Sequence, residues 1–429
     1  MYKIFLFFCF CGNVDRIVDA HRRKMCSQLV ESPFKTGAFS TKRKPSTEHE
    51  QPMNNVMNDF STCLHFSLCS GCSLDKNFFN PPIKQQILSY FDGLGAPLSF
   101  RSTGFASTRW KAKLAIRGSF DNPQIGLFKR NSHEVVSIPR CLVHHPSINR
   151  GVEILRDAVR AHRIPPYSES PPSGLLRYAQ LFVERSSGRV QLSLSLNAAE
   201  IPPILAPFFE NLAKSSLWHS IWVNCNPGST NRIFSDDWRQ ISGESWLWQK
   251  FGKAEAAYHP AAFAQAHLPL FEEMLKLIRE WVPQNSRCLE LFAGTGAISL
   301  FLSDRCQALD LVENNPFSAL SFQQSLQRTN KNLFSYRLGD AKVQPGPYDV
   351  VIVDPPRKGL GAQLIQTLDA EILIYVSCSF DSFRRDSDLL SENGWKLEKG
   401  AGFFLFPGTN EIEIAACFKK LAGSAPAID

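Results

Sequence analysis

The chain has 429 residues, 44% hydrophobic and 20% charged, which excludes a collagen-like or wholly disordered polypeptide and calls for two or three domains. No apolar run reaches the about 18 residues of a membrane-crossing helix. Forty-seven Lys and Arg against 40 Asp and Glu give a net charge of +7, a mildly basic balance compatible with nucleic acid. The opening MYKIFLFFCFCG has the apolar core of a signal peptide but no small-residue cleavage site, and VDRIVDAHRRK follows it. A start further downstream, at Met25, Met53 or Met57, is the expected reading. Residues 27–58 are polar and aperiodic, so 1–58 is read as a disordered leader or a mis-assigned start.

Residues 59–94 hold Cys63-x5-Cys69-x2-Cys72 and a short amphipathic stretch, PIKQQILSYF. Three clustered thiols need a fourth ligand to close a tetrahedral zinc site or a four-iron cluster. Cys141 is the nearest candidate downstream, with His144 and His145 behind it. Thiolate-only ligation favours iron–sulfur and imidazole favours zinc. The other cysteines sit singly, many inside apolar runs, as in a reduced compartment.

Residues 95–254 alternate short apolar runs with turn signals, which predicts strands over WKAKLAIRGSF, QIGLFKR, VVSIP, YAQLFVER, VQLSLSL and SIWVNCN. Helical interruptions are expected near 147–162 and 202–217. Residues 101–130 concentrate seven cations against one carboxylate, with Arg109, Lys111 and Lys113 around Trp110. Cations pair with phosphates and aromatic rings stack on unpaired bases, so this stretch is a candidate RNA contact. A solvated strand face is the plainer alternative.

Residues 255–429 begin with an expected helical connector over 255–275, running to Val282. SRCLELFAG, QALDLVEN, LFSYRLGD, YDVVIVDPP and EILIYVSC then alternate with helix-like segments. Such alternation predicts a parallel, doubly wound α/β sheet, in which ligands bind at the carboxyl ends of the strands. Ala293 to Gly296, Glu313, Asp340, Asp354 and Cys378 are therefore expected on one rim.

The residues on that rim suggest chemistry. In ELFAGTGAIS, Gly294 and Gly296 permit tight turning against a ligand. Glu313 can accept from ribose hydroxyls, and Asp340 can meet an adenine amino group. The third glycine of a pyrophosphate cradle is absent, so the series suits S-adenosylmethionine better than a dinucleotide. DPPRKG lacks two backbone donors and forms a rigid loop suited to a planar base. Cys378 stands at a strand end before a helix, a setting that can lower a thiol pKa. EIEIA alternates, which puts Glu411 and Glu413 on one strand face.

Taken in order, CLHFSLCSGC with Cys141, TRWKAKLAI, AAFAQAH, ELFAGTG, LVEN, DPPRKG, SCSFDSFRRD and FPGTNEIE resemble the bacterial RNA uracil-C5 methyltransferases that make 5-methyluridine. The likeness is to the iron–sulfur-containing members acting on 23S ribosomal RNA, over roughly residues 60–420. It implies a class I S-adenosylmethionine-dependent methyltransferase domain at 255–429, a strand-rich central RNA-binding domain at 95–254 and a small Cys-cluster region at 59–94. It implies Cys378 as nucleophile and Glu413 as general base, with S-adenosyl-L-methionine held by Gln265, Phe292, Gly294, Gly296, Glu313, Asp340 and Asp354. It implies a [4Fe–4S] cluster on Cys63, Cys69, Cys72 and Cys141, and RNA contacts from Arg109, Lys111 and Lys113. A cytoplasmic monomer off the membrane is expected. The chain departs from the family at Ser379-Phe380, where Asn or Asp followed by Pro is usual, at His267, where Asn is usual, and at Gly408 and Glu411, where His is usual. The rivals are an amino-group methyltransferase of adenine or guanine and a non-catalytic RNA-binding or assembly protein.

Overall fold

A computed structural model describes residues 63–227, 232–342 and 347–421. The leader and start-site readings lie outside the described residues. Pro81 precedes and Pro82 opens α1 (Pro82–Gly93), since proline's fixed φ suits a first turn that needs no N–H partner. α1 buries Ile87 and Phe91 and leads into β1 (Leu98–Arg101).

The central sheet follows. Its elements are β2 (Lys111–Gly118), β3 (Pro123–Phe128), β4 (Val135–Ser137), α2 (Pro146–Ala161), the two-residue pair β5 (Ser168–Glu169) and β6 (Pro172–Ser173), β7 (Leu176–Val183), β8 (Val190–Leu196), α3 (Ala206–Ala213), β9 (Trp218–Cys225) and β10 (Trp238–Gly243). Seven of the strands pair in the order β10-β9-β8-β7-β2-β3-β4, antiparallel except at β8–β9, where α3 lies in the crossover. Ile148, Val152, Leu155 and Val159 form an apolar stripe on α2 that covers Leu192, Leu194, Ile221 and Val223. The alternate positions carry Gln191, Ser193, Ser195, Ser220 and Asn224, all buried. This sheet therefore has one hydrocarbon face and one polar face.

β11 (Leu247–Phe251) and β12 (Ala254–Tyr258) form a hairpin, and α4 (Leu268–Trp281) follows. The helical connector expected from residue 255 thus starts only at Leu268. AEAAY pairs with β11 instead, and the turn around Pro260 separates it from the helix. The remainder runs β13 (Ser286–Leu291), α5 (Ala297–Phe301), β14 (Cys306–Glu313), α6 (Pro316–Ser325), β15 (Phe334–Leu338), β16 (Val350–Val353), α7 (Ala362–Gln366), β17 (Ile372–Ser377), α8 (Phe380–Glu392), β18 (Trp395–Phe403) and β19 (Glu413–Lys420).

These strands pair in the order β1-β18-β19-β17-β16-β13-β14-β15, with only β19 reversed. This is the class I S-adenosylmethionine-dependent methyltransferase arrangement, with β1 added at its edge. Residues 98–101, which open the central block in the sequence, therefore join the C-terminal sheet. Val350 and Ile352 face one core, Val351 and Val353 the other. With both faces covered, such strands are continuously apolar, as VVIV and ILIYV are. Strand order reverses at β13, so the crevice between β13 and β16 is the topological switch point where ligands bind. Among the described residues, no helix is long and apolar enough to cross a membrane.

Candidate active site

A cavity of about 670 Å³ opens at that switch point. One wall is the loop after β13. Phe292 has φ 61, a left-handed backbone that a bulky residue adopts only when its surroundings impose it. Gly294 (φ 55) lines the cavity, and a Cβ there would meet nothing within 4 Å. Gly296 (φ 71) does not line it; a Cβ there would fall 2.5 Å from the Phe322 ring, so packing requires this glycine. Glu290 lies buried beneath the loop and accepts from the Ser299 backbone N–H at 3.1 Å and from the Ser299 hydroxyl. Burial pushes its carboxyl up to about 8. Glu313, at the end of β14, accepts from Gly294 N at 2.9 Å and from Asn314 and Asn315 N at 2.9 and 2.7 Å. Gln265 completes this side.

The opposite wall is built by β16, β17 and β19. Asp354 follows the last residue of β16, and Pro355, Pro356, Arg357 and Lys358 run along the cavity. In the antiparallel ladder of β17 and β19, Ser377 faces Ile414. One step further along that register Cys378 meets Glu413, and both line the cavity. Burial pushes the Cys378 thiol up to about 11, helped by Glu413 and Asp354 and opposed by the Arg357 guanidinium. The expectation of a lowered thiol pKa is thereby corrected: two carboxyl groups and desolvation outweigh one arginine and the helix start. Asp354 is raised to about 7 by burial and by Glu313, and Glu413 is raised well above the carboxylate range by burial and by Asp354. Burial therefore favours the protonated forms of the thiol and acids that line the site.

The departures from the family pattern have local explanations. Ser379 caps α8 by accepting from Ser382 N, and Phe380 occupies the first helical position, 7% exposed. Cap and helix start are thus preserved without Asn-Pro. His267 caps α4 through Nδ1, which accepts from Leu270 N at 3.4 Å. Gly408 has φ 81. Glu411 precedes β19, so the alternation predicted to share a face with Glu413 begins only at Glu413. Glu411 instead pairs with Arg357 at 2.5 Å.

Asp340 is exposed and is not among the cavity-lining residues, because β15 ends at Leu338 on the outer edge of the sheet. Conversely, Phe263, Phe406 and Ser318 line the cavity without having been singled out in the sequence. Phe263 is 65% exposed at the rim, two residues from Gln265 in AAFAQAH. Phe406 lies in the loop before Glu413, a place that only the pairing of β18 with β19 turns toward the thiol.

Cys63, Cys69, Cys72 and Cys141 line a second cavity, of about 100 Å³. Burial, then Cys141, Cys69 and Cys63, push the Cys72 thiol up to about 12. Four sulfurs in one hollow fit a thiolate-ligated centre in donor type and number. As they are placed, however, no three His, Cys, Asp or Glu side chains among the described residues form a group able to hold a metal ion. Arg109 lines this cavity, with its guanidinium 5.6 Å from the centre of the Phe406 ring. Lys111 donates to Ala262 O at 2.9 Å, and burial lowers its ammonium to about 7. Lys113 is exposed, 5.5 Å from the Phe234 ring.

No protein-family model matches the chain. It is 39% identical over 376 residues to an uncharacterized RNA methyltransferase of Protochlamydia amoebophila, covering 84% of this chain and 97% of that protein. It is 26% identical to an uncharacterized RNA methyltransferase of Geobacter sulfurreducens, covering 84% and 77%. Among solved structures it is similar to the Pyrococcus abyssi tRNA (uracil-54, C5)-methyltransferase in complex with S-adenosyl-L-homocysteine. That match has a TM-score of 0.68 at 21% identity and covers 82% of this chain and 86% of that one. The chain belongs to the RNA methyltransferase family of its Protochlamydia relative, and its fold is that of the RNA uracil-C5 methyltransferases.

Proposed function

We propose that the protein methylates C5 of a uridine in RNA, with 23S ribosomal RNA the expected target, using S-adenosylmethionine. The observation that carries this reading is the convergence of the Cys378 thiol, the Glu413 carboxyl and Asp354 on one wall of a cavity whose other wall is Glu313 and the Gly294 loop. A cofactor and a nucleobase both fit a hollow of about 670 Å³. The cofactor wall fits a cationic sulfonium: Glu290 and Glu313 line it, while the lining cations Arg357 and Lys358 follow Asp354 on the thiol side. Bound there, S-adenosylmethionine supplies an electrophilic methyl group.

Uracil C5 is a poor nucleophile until C6 is saturated. Cys378 Sγ gives its proton to solvent and, as the thiolate, forms a bond to C6, which moves the ring's electron pair toward C5 and O4. Arg357 favours the thiolate, and a protonated Asp354 can donate a hydrogen bond to O4 as charge builds there. After C5 gains the methyl, with S-adenosylhomocysteine as the leaving thioether, ionised Glu413 takes the C5 proton. The C5=C6 bond re-forms and Cys378 leaves as thiolate. The base must quit its stack to reach the cavity, so a loop or single-stranded uridine is the expected substrate.

Cys63, Cys69, Cys72 and Cys141 are proposed as ligands of a [4Fe–4S] cluster with a structural role, supported by their shared cavity. Iron and sulfide analysis of anaerobically purified protein tests this; stoichiometric zinc without iron would replace that assignment.

The central experiment uses RNA containing 5-fluorouridine, which has no C5 proton to lose. The unaltered protein with S-adenosylmethionine should form an adduct that survives denaturation, and Cys378→Ala should form none. An equally stable adduct in the variant would remove Cys378 from the chemistry. Unchanged methyl transfer in Cys378→Ser would instead favour the amino-group rival.

A further inference from the structure

The loop that carries Asp354 has an unusual backbone problem. Pro355 and Pro356 have no N–H, so the chain cannot secure itself there by its own donors. Its one internal tie is a turn closed by Gly359 N and Pro356 O at 2.8 Å. Outside ties come from Leu291 O, which accepts from Asp354 N at 3.4 Å, from Glu411, which pairs with the Arg357 side chain, and above all from one face of α8. Ser382, Arg385 and Asp386 are spaced i, i+3 and i+4, so they project together. The Ser382 hydroxyl donates to Arg357 O, and the Arg385 guanidinium donates to Lys358 O at 2.6 Å. Asp386 Oδ2 accepts from Leu360 N at 2.6 Å.

Asp386 is the centre of this arrangement. Its side chain is fully buried, which an ionised carboxylate tolerates only when its acceptor sites are filled. The same Oδ2 accepts from the Tyr375 hydroxyl at 2.8 Å, and Oδ1 takes two bonds from Arg385, at 3.0 and 3.2 Å. Tyr375 lies on β17 three residues before Cys378, and α8 begins two residues after Cys378. One carboxylate thus ties together the strand that ends at the thiol, the helix that follows it and the proline loop beside it on the same wall. Gly359 is shaped to the contact: with φ 77, a Cβ there would fall 2.2 Å from Asp386 Oδ2.

We propose that Asp386 is a positioning residue that fixes the Asp354–Lys358 wall against Cys378 and so sets the width of the base-binding half of the cavity. The catalytic consequence rests on the uridine reading above; the brace itself does not. Asp386 touches neither the cavity nor the Gly294 loop, so its loss should spare the cofactor half.

The test compares the unaltered protein with Asp386→Asn, which keeps the volume but turns one acceptor into a donor, and with the milder Tyr375→Phe. Hydrogen exchange by mass spectrometry, on protein without RNA, reads the loop directly. Exchange over 357–361 should rise at least about fivefold in Asp386→Asn and less in Tyr375→Phe, with the 290–315 region unchanged. The turnover number should fall at least about tenfold in Asp386→Asn, while the S-adenosylmethionine dissociation constant stays within about twofold. Unchanged exchange in both variants overturns the brace. Faster exchange with unchanged turnover overturns the positioning role. Turnover and cofactor affinity declining together, with faster exchange throughout, also overturns it, since that is general loosening. If the unaltered protein forms no adduct with 5-fluorouridine RNA, the uridine reading fails, and the exchange result still decides the brace.

Discussion

The two cavities share a residue type and differ in the acids and thiols around it. Cys378 in the larger and Cys72 in the smaller are both pushed up by burial, to about 11 and about 12. The next causes diverge. For Cys378 they are two carboxyl groups and an arginine, which can pass protons and offset charge. For Cys72 they are the thiols of Cys141, Cys69 and Cys63, opposed by the Arg109 guanidinium; under the ligation proposed above, a metal would take the place of their protons. Burial disfavours the thiolate in either setting, and what the neighbours offer it, carboxyl groups or further thiols, is what differs. The cavities also share a wall. Phe406 lines one and Pro407 the other, and Gly408 O accepts from Ser73 and Leu74 N at 2.8 and 3.0 Å. The thiol segment therefore props the loop that leads to Glu413.

The contrast is broken most sharply by truncating one thiol in each cavity. Cys378→Ala should reduce methyl transfer by more than about 10³-fold with little change in melting temperature. Cys72→Ala should lose iron and about 1–3 kcal/mol of stability, yet keep S-adenosylmethionine affinity within about twofold. Turnover lost as completely in Cys72→Ala, at unchanged stability, would erase the distinction. Glu413→Gln comes next: a decrease of about 10²–10⁴-fold is expected, with a methylated enzyme–RNA species accumulating on denaturing gels. Rapid release of free product would count against its role as base.

A smaller effect concerns pH. With the Cys378 thiol near 11, the thiolate fraction, and with it the single-turnover rate of adduct formation, should climb up to about tenfold per unit from pH 7 to 9. A flat profile would mean that RNA binding resets the thiol. The smallest effect is on stability. Glu290 is raised from 4.5 in the unfolded chain to about 8 when folded, so between those values the folded state binds the extra proton. Its contribution is complete below about 4.5 and lost as pH rises through about 8. Glu290→Gln should flatten the decline in melting temperature between pH 5 and 8; an unchanged slope would assign it to other groups.

Much of the catalytic sheet was legible because its strands are short, buried on both faces and end in distinctive residues. β13 to β17 lie where apolar runs and turn signals put them, and Gly294, Glu313, Asp354 and Cys378 meet on one rim. What failed to show had weaker local signals. β18, in WKLEKGAGF, mixes charge and glycine, because an inner strand of this sheet can accept Phe91 and Phe100 against its glycines. AEAAY carries strong helix formers, yet pairing with β11 prevails over propensity. Asp340 follows a strand like the others, but β15 is the edge strand of the sheet and Asp340 is not among the cavity-lining residues. Arg109 belonged to a basic stretch, and only packing shows it between two cavities.

Residue order by itself determined the alternation of elements, the turn glycines and the inventory of thiols and carboxyls, since each follows from local sterics and side-chain chemistry. Only the tertiary structure set Cys378 beside Glu413, put Asp386 under the proline loop and raised the acids around the cavity. Those facts depend on ladder register and on exclusion of water, which are properties of segments distant in sequence once they pack together.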